Sequence, residues 1–336
     1  MAGLKTGKPV DIVTGAAGFI GSHLVDRLLD GGHAVIGVDN FIRGQRKNLC
    51  RPLHHADFVL IETDCADLES LRCCLLPQVL SDSVDTVWHL AANSDIPAGV
   101  ASAEIDFKNT FLTTYCILQL MRESGLSRLA FASSSAIYGP HAEPLSEDSG
   151  PLLPVSNYGA MKLASEAIIS AAVETYLECA WIFRFPNVIG GRGTHGVIYD
   201  LLHKLREMPP ALEVLGDGNQ CKPYMHVADL VDAMLHIRRC AIERINCVNI
   251  AARDEGVTVR FIAEEVTRVA APAMPIRYTG GERGWAGDVP RFSFRTDKLQ
   301  RLGWSSRIDS RTAVQRAVAE LAREILGDPW REWSLP

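Results

Sequence analysis

The sequence lacks the features that mark several classes of protein. None of its apolar runs approaches the roughly 18 residues of a membrane-spanning helix, so we expect no membrane partner. Lys and Arg number 34 against 40 Asp and Glu, and this absence of a basic excess argues against a nucleic-acid partner. The segment Met1–Lys8 lacks the apolar core of a signal peptide. We therefore predict a cytoplasmic protein.

Metal-binding patterns of cysteine are also lacking. The chain has nine cysteines, but none shows the pair spacing of a zinc site. Cysteines scattered through 336 residues favour free, mostly buried thiols in a reducing compartment. A redox or metal site is the alternative interpretation, and we predict that there is none. His226 is a lone histidine after an apolar run, a setting more typical of a structural histidine than of a metal ligand.

The chain does contain a repeated alternation of short apolar runs with helical patterns. Val10–Thr14 is an apolar run that a glycine follows, the helical period of Phe19–Asp30 comes next, and Ala34–Val38 is the second apolar run. Alternating strands and helices form a parallel sheet that is covered on both faces. Further strands are predicted at Phe58–Ile61, Thr86–Leu90, Arg128–Ala132, Ala180–Phe185 and Ile245–Ile250, and the longest helices at Phe107–Arg122 and Tyr158–Tyr176.

The alternation loosens after Gly190, where glycine, proline and short mixed segments become frequent. We predict an α/β fold of two domains. Residues 9–188 and 223–252 form a Rossmann-type, doubly wound parallel sheet that binds a dinucleotide. Residues 189–222 and 253–330 form a smaller C-terminal α/β domain that binds the substrate.

The turn after the first strand carries Gly15, Gly18 and Gly21, in the spacing G-x-x-G-x-x-G between a strand and a helix. Glycine lets backbone N–H groups approach a pyrophosphate, and a helix N-terminus adds partial positive charge. Asp39 follows the second strand, where a carboxylate accepts hydrogen bonds from ribose hydroxyls and repels a 2′-phosphate. The pattern predicts a site that prefers NAD. Arg43 is the feature that favours NADP instead, since arginine accommodates that phosphate.

Tyr158 and Lys162 lie four residues apart at the start of a predicted helix, so they share one helix face. An ammonium group near a phenol favours phenolate and lowers the pKa of the phenol. Tyr158 is thereby suited to remove a hydroxyl proton while hydride leaves the same carbon. The strand Arg128–Ala132 runs into three serines, 133–135, at the strand end where ligands bind in this architecture. One of these serines is expected to hydrogen-bond the reacting oxygen.

Together these pieces resemble the extended short-chain dehydrogenase/reductases and, among them, the UDP-galactose (UDP-glucose) 4-epimerases of the archaeal-type branch. The resemblance covers nearly the whole chain. Its segments are TGAAGFIGSHL (Thr14–Leu24), VDN (Val38–Asn40), HLAA (His89–Ala92), ASSSAIYG (Ala132–Gly139), SNYGAMK (Ser156–Lys162), RFPNVIG (Arg184–Gly190), HGVIYDLLHKLR (His195–Arg206), VLGDGNQCKPYMHVADLVDA (Val214–Ala233) and GWAGDV (Gly284–Val289).

The resemblance implies an NAD-dependent epimerase that inverts C4 of a nucleotide-sugar, UDP-glucose or UDP-galactose, through a transient 4-keto intermediate. Tyr158 resembles the family's general base and acid, and Lys162 resembles its partner, which also holds the nicotinamide ribose. Ser134 matches the position of the family's catalytic serine or threonine. The other implied NAD contacts are Phe19, Ile20, Asn40, Asp64, Cys65, Leu90, Ala91, Ala92, Asn109 and Phe185.

The implied substrate contacts lie mostly in the C-terminal half. Asn187 resembles the residue that grips the phosphates of the nucleotide-sugar. The family often has Arg-Asp-Tyr where this chain has Lys222-Pro223-Tyr224, and lysine keeps the positive charge without the bidentate fork. The remaining implied substrate contacts, besides Ser134 and Tyr158, are Ser135, Val197, Ile198, Leu215, Tyr224, Arg283, Asp288 and Phe292.

Two of these residues follow from the C-terminal Gly-Asp segment of the family. Arg283 resembles its phosphate-binding arginine, although it stands two places further from Asp288 than in the common Arg-x-Gly-Asp pattern. Phe292 stands four places after Asp288, at the position where a bulky aromatic excludes a 2-acetamido group from the sugar pocket. The resemblance therefore predicts a preference for sugars without the N-acetyl group.

Other activities fit parts of this pattern. A nucleotide-sugar 4,6-dehydratase or decarboxylase begins with the same oxidation, but dehydratases typically carry Asp-Glu where Ser135 and Ala136 stand, which favours epimerisation. A sugar or ketone reductase would release its cofactor in each cycle, and a non-catalytic dinucleotide-binding protein usually loses the Ser-Tyr-Lys set that is intact here. The resemblance also implies a homodimer, in which the helices at 107–122 and 158–176 pair across a two-fold axis through Ala164, Ala167, Ile168, Ala171 and Ala172.

Overall fold

The computed structural model describes residues 7–79, 84–141, 144–284 and 289–327, without the side chain of residue 97. Contacts between these residues divide the chain into two compact units. The first unit holds the residues up to Tyr138, Leu152–Arg184 and Met234–Val248. The second holds Gly139–Pro151, Phe185–Ala233 and the residues from Asn249 onward. The second unit thus contains 139–151, 185–188, 223–233 and 249–252, which the sequence prediction assigns to the dinucleotide-binding domain. The predicted roles of the two domains stay predictions.

The strands are numbered in chain order. They are β1 Val10–Thr14, β2 Ala34–Asp39, β3 Phe58–Glu62, β4 Val84–His89, β5 Arg128–Ala132, β6 Cys179–Arg184, β7 Asn187–Ile189, β8 Leu212–Val214, β9 Cys221–Lys222, β10 Tyr224–His226, β11 Ile245–Asn249, β12 Val257–Thr258 and β13 Ile276–Tyr278.

A seven-stranded sheet forms the centre of the first unit, in the order β11-β6-β5-β4-β1-β2-β3. Strand β1 pairs in parallel with both β2 and β4, so the direction in which the strands are added reverses beside β1. Strands β1, β2 and β6 are buried along their whole length, as in parallel sheets with helices on both faces. The predicted fold class is confirmed. Ligands of such sheets bind beyond the carboxyl ends of the strands at the reversal, which are here the ends of β1 and β4.

The helices, also in chain order, are α1 Phe19–Asp30, α2 Leu68–Cys74, α3 Leu76–Val79, α4 Ile96–Ala101, α5 Ala103–Asp106, α6 Thr113–Ser124, α7 Asn157–Thr175, α8 Val197–Arg206, α9 Val227–Cys240, α10 Val259–Ala270, α11 Asp297–Arg301 and α12 Ser310–Leu326. The continuous helix predicted at 107–122 is wrong in its first part, because Phe107–Leu112 forms a π-helix between α5 and α6. A π-turn holds one more residue than an α-turn, and apolar periodicity over so short a segment does not distinguish the two. No helix in the described ranges is both long and apolar enough to cross a membrane.

The second unit is smaller and has its own core. Its strands form three short pairs, β7 with β10, β8 with β13 and β9 with β12. Helices α8, α10 and α12 pack around one apolar cluster, to which Leu202, Ile262 and Val318 contribute fully buried side chains. Each amphipathic helix buries one apolar stripe there, and this burial of apolar surface stabilises the unit.

Candidate active site

Helix α7 brings Tyr158 and Lys162 onto one face at its N-terminal end. Ser156 caps this helix by accepting a hydrogen bond from the Gly159 backbone N–H, so the helix begins just before Tyr158. The Lys162 ammonium is 2% exposed and donates a hydrogen bond of 2.6 Å to the Ala132 carbonyl oxygen, at the end of β5. Its Nζ lies 5.8 Å from the centroid of the Tyr158 ring. The two residues that the sequence pairs are therefore neighbours in space.

Ser134 joins this pair from the turn that follows β5. Its Oγ accepts a hydrogen bond from the Ala136 N–H at 3.1 Å and caps the short 3-10 helix Ser135–Ile137. The Ser134 hydroxyl is also hydrogen-bonded to the phenol of Tyr158. The structure thus selects Ser134 from the three serines, and it brings Ser134, Tyr158 and Lys162 together.

Burial sets the protonation of this group. It raises the pKa of Tyr158 to about 12, against the smaller lowering effect of the Ser134 hydrogen bond. It lowers the pKa of Lys162 to about 7, against the opposing effects of Glu166 and Asp106. The expectation that Lys162 lowers the pKa of Tyr158 is wrong for the protein chain alone, because desolvation of the phenol dominates. A positive charge brought in by a bound cofactor would favour the phenolate.

The glycine-rich turn after β1 has the close backbone approach that a dinucleotide requires. A Cβ atom on Gly21 would lie 2.0 Å from the Gly15 carbonyl oxygen, so no larger residue fits where α1 packs on the turn. The N-cap of α1 is Gly18, and no side chain caps this helix end. Its first N–H groups therefore point toward the place where a diphosphate binds at such a terminus. These features fit NAD.

The end of β4 completes this side of the site. The Thr14 hydroxyl contacts Nδ1 of His89 at 2.7 Å and accepts hydrogen bonds from the Leu90 and Ala91 N–H groups, both at 3.2 Å. A Cβ on Gly15 would lie 3.0 Å from the Ala91 nitrogen. The predicted contacts of the glycine turn and of the segment Leu90–Ala92 therefore lie side by side at the strand ends where the topology reverses.

Asp39 ends β2 next to the same turn. Its carboxylate accepts hydrogen bonds from the Ala17 N–H at 2.9 Å and the Phe41 N–H at 2.8 Å, and it is 6% exposed. Burial raises the pKa of Asp39. Arg43, the feature that favours NADP in the sequence, donates Nη1–H to the Asp95 carboxylate at 2.9 Å. Since its guanidinium already pairs with a carboxylate, the local charges favour NAD.

The remaining predicted NAD contacts are dispersed. Phe19 and Ile20 form the first turn of α1, and the Asn40 side chain accepts a hydrogen bond from the Ile42 N–H. Asp64 accepts a hydrogen bond from the Ala66 N–H, and Cys65 is buried, which raises the pKa of its thiol. Asn109 lies in the π-helix, half-buried, and Phe185 lies buried in the second unit.

The predicted substrate contacts of the second unit differ in exposure. Asn187 is exposed on β7 and Leu215 is 50% exposed, whereas Ile198 and Tyr224 are buried in the core of that unit. The Phe292 ring packs edge-on against Phe294, with ring centroids 5.7 Å apart. Val197 begins α8, Lys222 pairs with Val257 in β9, Arg283 is exposed, and Asp288 lies outside the described residues.

A cleft of about 550 Å³ in the second unit was missed by sequence reasoning. The side chain of Gln220 lines it, is 3% exposed, and has no hydrogen-bond partner among the described residues. A buried amide of this kind is normally satisfied by water or a ligand. The sequence feature that could have indicated this cleft is the Gly-Asp-Gly-Asn-Gln stretch at 216–220. The lining residues are Pro140, His141, Asp217, Asn219, Gln220, Glu282, Val289, Pro290 and Arg291.

The described ranges contain no candidate metal-binding site. No cluster of three or more His, Cys, Asp or Glu side chains there has a metal-binding arrangement. Nε2 of His226 contacts the Glu320 carboxylate at 3.0 Å, and the same carboxylate accepts a hydrogen bond from the Gly191 N–H. His226 thus belongs to a contact between β10, α12 and the loop after β7.

Comparison with known proteins identifies the group to which these features belong. A model of the NAD dependent epimerase/dehydratase family matches residues 12–251. The chain is 28% identical to a UDP-glucose 4-epimerase of Azospirillum brasilense, over 94% of this chain and 93% of that protein. A crystal structure of UDP-galactose 4-epimerase superposes with a TM-score of 0.82 at 32% identity, over 94% of this chain and 99% of that one. The UDP-glucose 4-epimerase of Thermus thermophilus in complex with NAD gives 0.80 at 26% identity, over 93% and 98%.

Proposed function

The chain belongs to the NAD dependent epimerase/dehydratase family, and from this premise we propose that it inverts C4 of a nucleotide-sugar. The observation that carries the proposal is the joint placement of Ser134, Tyr158 and Lys162 at the end of β5 and the start of α7. Ser135 and Ala136 follow Ser134, and neither has a carboxylate for the elimination of water that a dehydratase catalyses. This difference favours epimerisation over dehydration.

In the proposed reaction Tyr158 removes the proton of the C4 hydroxyl. Ser134 hydrogen-bonds the same oxygen and keeps it near the phenol, and the Lys162 ammonium stabilises the phenolate. NAD, when bound, supplies the acceptor and later the donor of the C4 hydride. After the 4-keto sugar has turned over in the site, Tyr158 returns its proton to the C4 oxygen, and C4 then has the opposite configuration.

NAD is held, on this proposal, by the first unit. The turn with Gly15, Gly18 and Gly21 receives the diphosphate, and Asp39 accepts hydrogen bonds from the adenosine ribose. Lys162 reaches the nicotinamide ribose. The first unit is thus the proposed cofactor domain, and the second unit is the proposed substrate domain.

We further propose that the substrate is a UDP-hexose. This is supported by similar proteins that are named UDP-glucose 4-epimerase or UDP-galactose 4-epimerase. Asn187, Lys222 and Arg283 are the proposed contacts to its diphosphate. The cleft of the second unit is proposed to hold part of the same substrate. Its lining residues Asp217 and Gln220 lie in the chain between Leu215 and Lys222.

Phe292 is the proposed limit on the size of the sugar substituent. Its ring is held by Phe294, so it yields little to a 2-acetamido group, and overpacking of this kind costs about 1–3 kcal/mol. UDP-galactose should therefore have a higher kcat/KM than UDP-N-acetylgalactosamine. The variant Phe292→Ser should reduce that ratio, whereas equal wild-type values would remove Phe292 from this role.

A homodimer through α6 and α7 is part of the proposal. Three aromatic residues, Phe107, Phe111 and Tyr115, follow at four-residue spacing, and Phe107 and Tyr115 are 49% and 44% exposed. On α7, Ala167 and Ala171 are exposed small residues, whereas Ala172 is buried in the core of its own unit. Light scattering at micromolar concentration measures the oligomeric state, and a monomeric mass would exclude the proposed homodimer.

The decisive experiment is to identify the bound molecules and the product. We expect NAD and a UDP-sugar to be released when the purified protein is denatured, and mass spectrometry identifies both. Incubation with UDP-galactose should yield UDP-glucose, separated by ion-pair chromatography. A 4-keto-6-deoxy sugar or a pentose as product would instead assign the chain to dehydration or decarboxylation.

A further inference from the structure

Glu166 is an acidic residue of α7 that the proposed mechanism leaves unused. It lies one turn beyond Lys162, so that Tyr158, Lys162 and Glu166 follow one another at four-residue spacing. Glu166 is only 6% exposed. A carboxylate is rarely buried this far unless it is paired, so its partners indicate what it does.

The partners of Glu166 come from the ends of two strands. Arg184, the last residue of β6, donates Nε–H to Oε1 at 3.0 Å and Nη2–H to Oε2 at 2.6 Å. Ser133, directly after β5, donates its hydroxyl proton to Oε1. Arg184 also donates Nη1–H to the Tyr138 hydroxyl at 3.0 Å. Bidentate geometry fixes both side chains, so Glu166 ties α7 to the carboxyl ends of β5 and β6.

The contacts of Glu166 lie next to the proposed catalytic group, both at the strand ends and on α7. Ser133 precedes Ser134 in the chain, and its own N–H donates to the Phe183 carbonyl oxygen at 2.8 Å. On the helix side, Lys162 is one turn from Glu166 and donates to the carbonyl oxygen of Ala132. A change in the length of the Glu166 contact therefore alters the position of Tyr158 relative to Ser134.

The charge of Glu166 also acts on Lys162. The titratable groups that face Lys162 are Tyr158 and Glu166 on α7, His89 on β4 and Asp106 on α5. Burial, with a contribution from Lys162, lowers the pKa of His89 to about 3, so the imidazole is neutral. Burial raises the pKa of Asp106 and so disfavours its negative charge. Glu166 differs from these two groups because it accepts two hydrogen bonds from the guanidinium of Arg184.

We propose that Glu166 is a positioning residue for the Ser134, Tyr158 and Lys162 group. Through Arg184 and Ser133 it fixes α7 against the strand ends. Its negative charge balances the positive charge of Arg184 and so keeps Lys162 protonated beside Tyr158. The catalytic consequence rests on the proposed function. The effect on Lys162 does not, and it can be measured without any substrate.

The test uses three variants of the full chain: Glu166→Gln, the double variant Glu166→Gln/Arg184→Gln, and Ser133→Ala as a control that removes one hydrogen bond and no charge. Carbon-13 NMR of lysine-labelled protein follows the titration of Lys162, which is assigned by the signal lost in Lys162→Met. The titration is recorded with and without NAD, since ligand binding also keeps the variants folded.

We expect the Lys162 midpoint to fall by about one pH unit in Glu166→Gln, because a negative charge is lost and a buried guanidinium is left unpaired. The double variant removes both charges and should return to within about half a unit of wild type. The control should shift less than the single variant. An unchanged midpoint in folded Glu166→Gln would overturn the proposal.

Activity supplies the second readout. In Glu166→Gln we expect kcat to fall about tenfold at neutral pH and the alkaline limb of the kcat profile to move to lower pH, with recovery of the limb in the double variant. If Glu166 acted only as a structural brace, the double variant would have a kcat at least as low as that of Glu166→Gln. The alkaline limb of its kcat profile would then stay at the wild-type pH. If wild type lacks epimerase activity while the Lys162 midpoint responds as expected, the proposed function fails and the electrostatic role stands.

Discussion

Gly159 offers a sharp test of how α7 is seated. A Cβ atom at this position would lie 2.4 Å from the Ala136 carbonyl oxygen and 2.9 Å from its carbonyl carbon, whereas ordinary contact begins at 3.4 Å. Both neighbours are backbone atoms of the turn that carries Ser134. The variant Gly159→Ala must therefore displace the start of α7 from this turn by about 1 Å, and Tyr158 moves with it.

Two energetic effects oppose each other in this variant. Alanine in a helix gains about 1 kcal/mol over glycine in propensity, and overpacking costs about 1–3 kcal/mol. We expect a net loss in the free energy of unfolding of about 1 kcal/mol. The effect on catalysis should be larger, because a 1 Å misplacement of a reacting group costs on the order of 100-fold in kcat.

The assay compares kcat for UDP-galactose with the free energy of unfolding from urea titrations. Ala160→Gly is the matched control, since it loses about 1 kcal/mol of helix propensity one residue away and introduces no atom. The control should keep kcat within about threefold of wild type. A folded Gly159→Ala enzyme with kcat within the same range would refute the reasoning, because α7 would then not depend on contact with the Ser134 turn.

Three further predictions concern the same unit. Tyr158→Phe should lower kcat by more than 1000-fold, since general acid–base catalysis contributes about 10²–10⁴, while NAD binding measured by calorimetry persists; retention of a tenth of the activity would exclude Tyr158 as the proton carrier. Asp39→Ser should narrow the difference in Kd between NAD and NADP, and tighter binding of NADP by wild type would show that Asp39 does not select the cofactor. The pKa of Lys162, lowered to about 7 in the folded chain, means that the unfolded state binds more protons between pH 7 and about 10. The cofactor-free protein should therefore gain up to about 4 kcal/mol in free energy of unfolding over that range, a gain that Lys162→Met should lack, and equal pH dependence in both proteins would contradict it.

The sequence predicts the parts of the structure that depend on local pattern. Alternating apolar runs locate every strand of the main sheet to within about two residues, because buried parallel strands need continuous apolar segments. The glycine turn and the pair Tyr158 and Lys162 also follow from spacing alone, since spacing along one strand or one helix fixes direction.

Other features depend on contacts between distant segments and have no local signal. Gln220 lines a cleft with Glu282 and Arg291, which lie more than sixty residues further along the chain. The direction of the pKa change at Tyr158 depends on how completely neighbouring elements exclude water, which helical spacing does not reveal.

The π-helix at Phe107–Leu112 bears on how insertions are accommodated in this chain. A helix absorbs one surplus residue as a π-turn, and deletion of one residue here would restore α geometry. The surplus residue is taken up within one turn, so the segments on its two sides keep the rotational phase of a continuous α-helix. Asp106, directly before the π-helix, would therefore keep its buried place, where its carboxylate accepts a hydrogen bond from the Asn93 amide at 2.7 Å. A one-residue deletion within Phe107–Leu112 is thus one that the chain can accommodate, whereas the same deletion within α6 would rotate everything before it by about 100°.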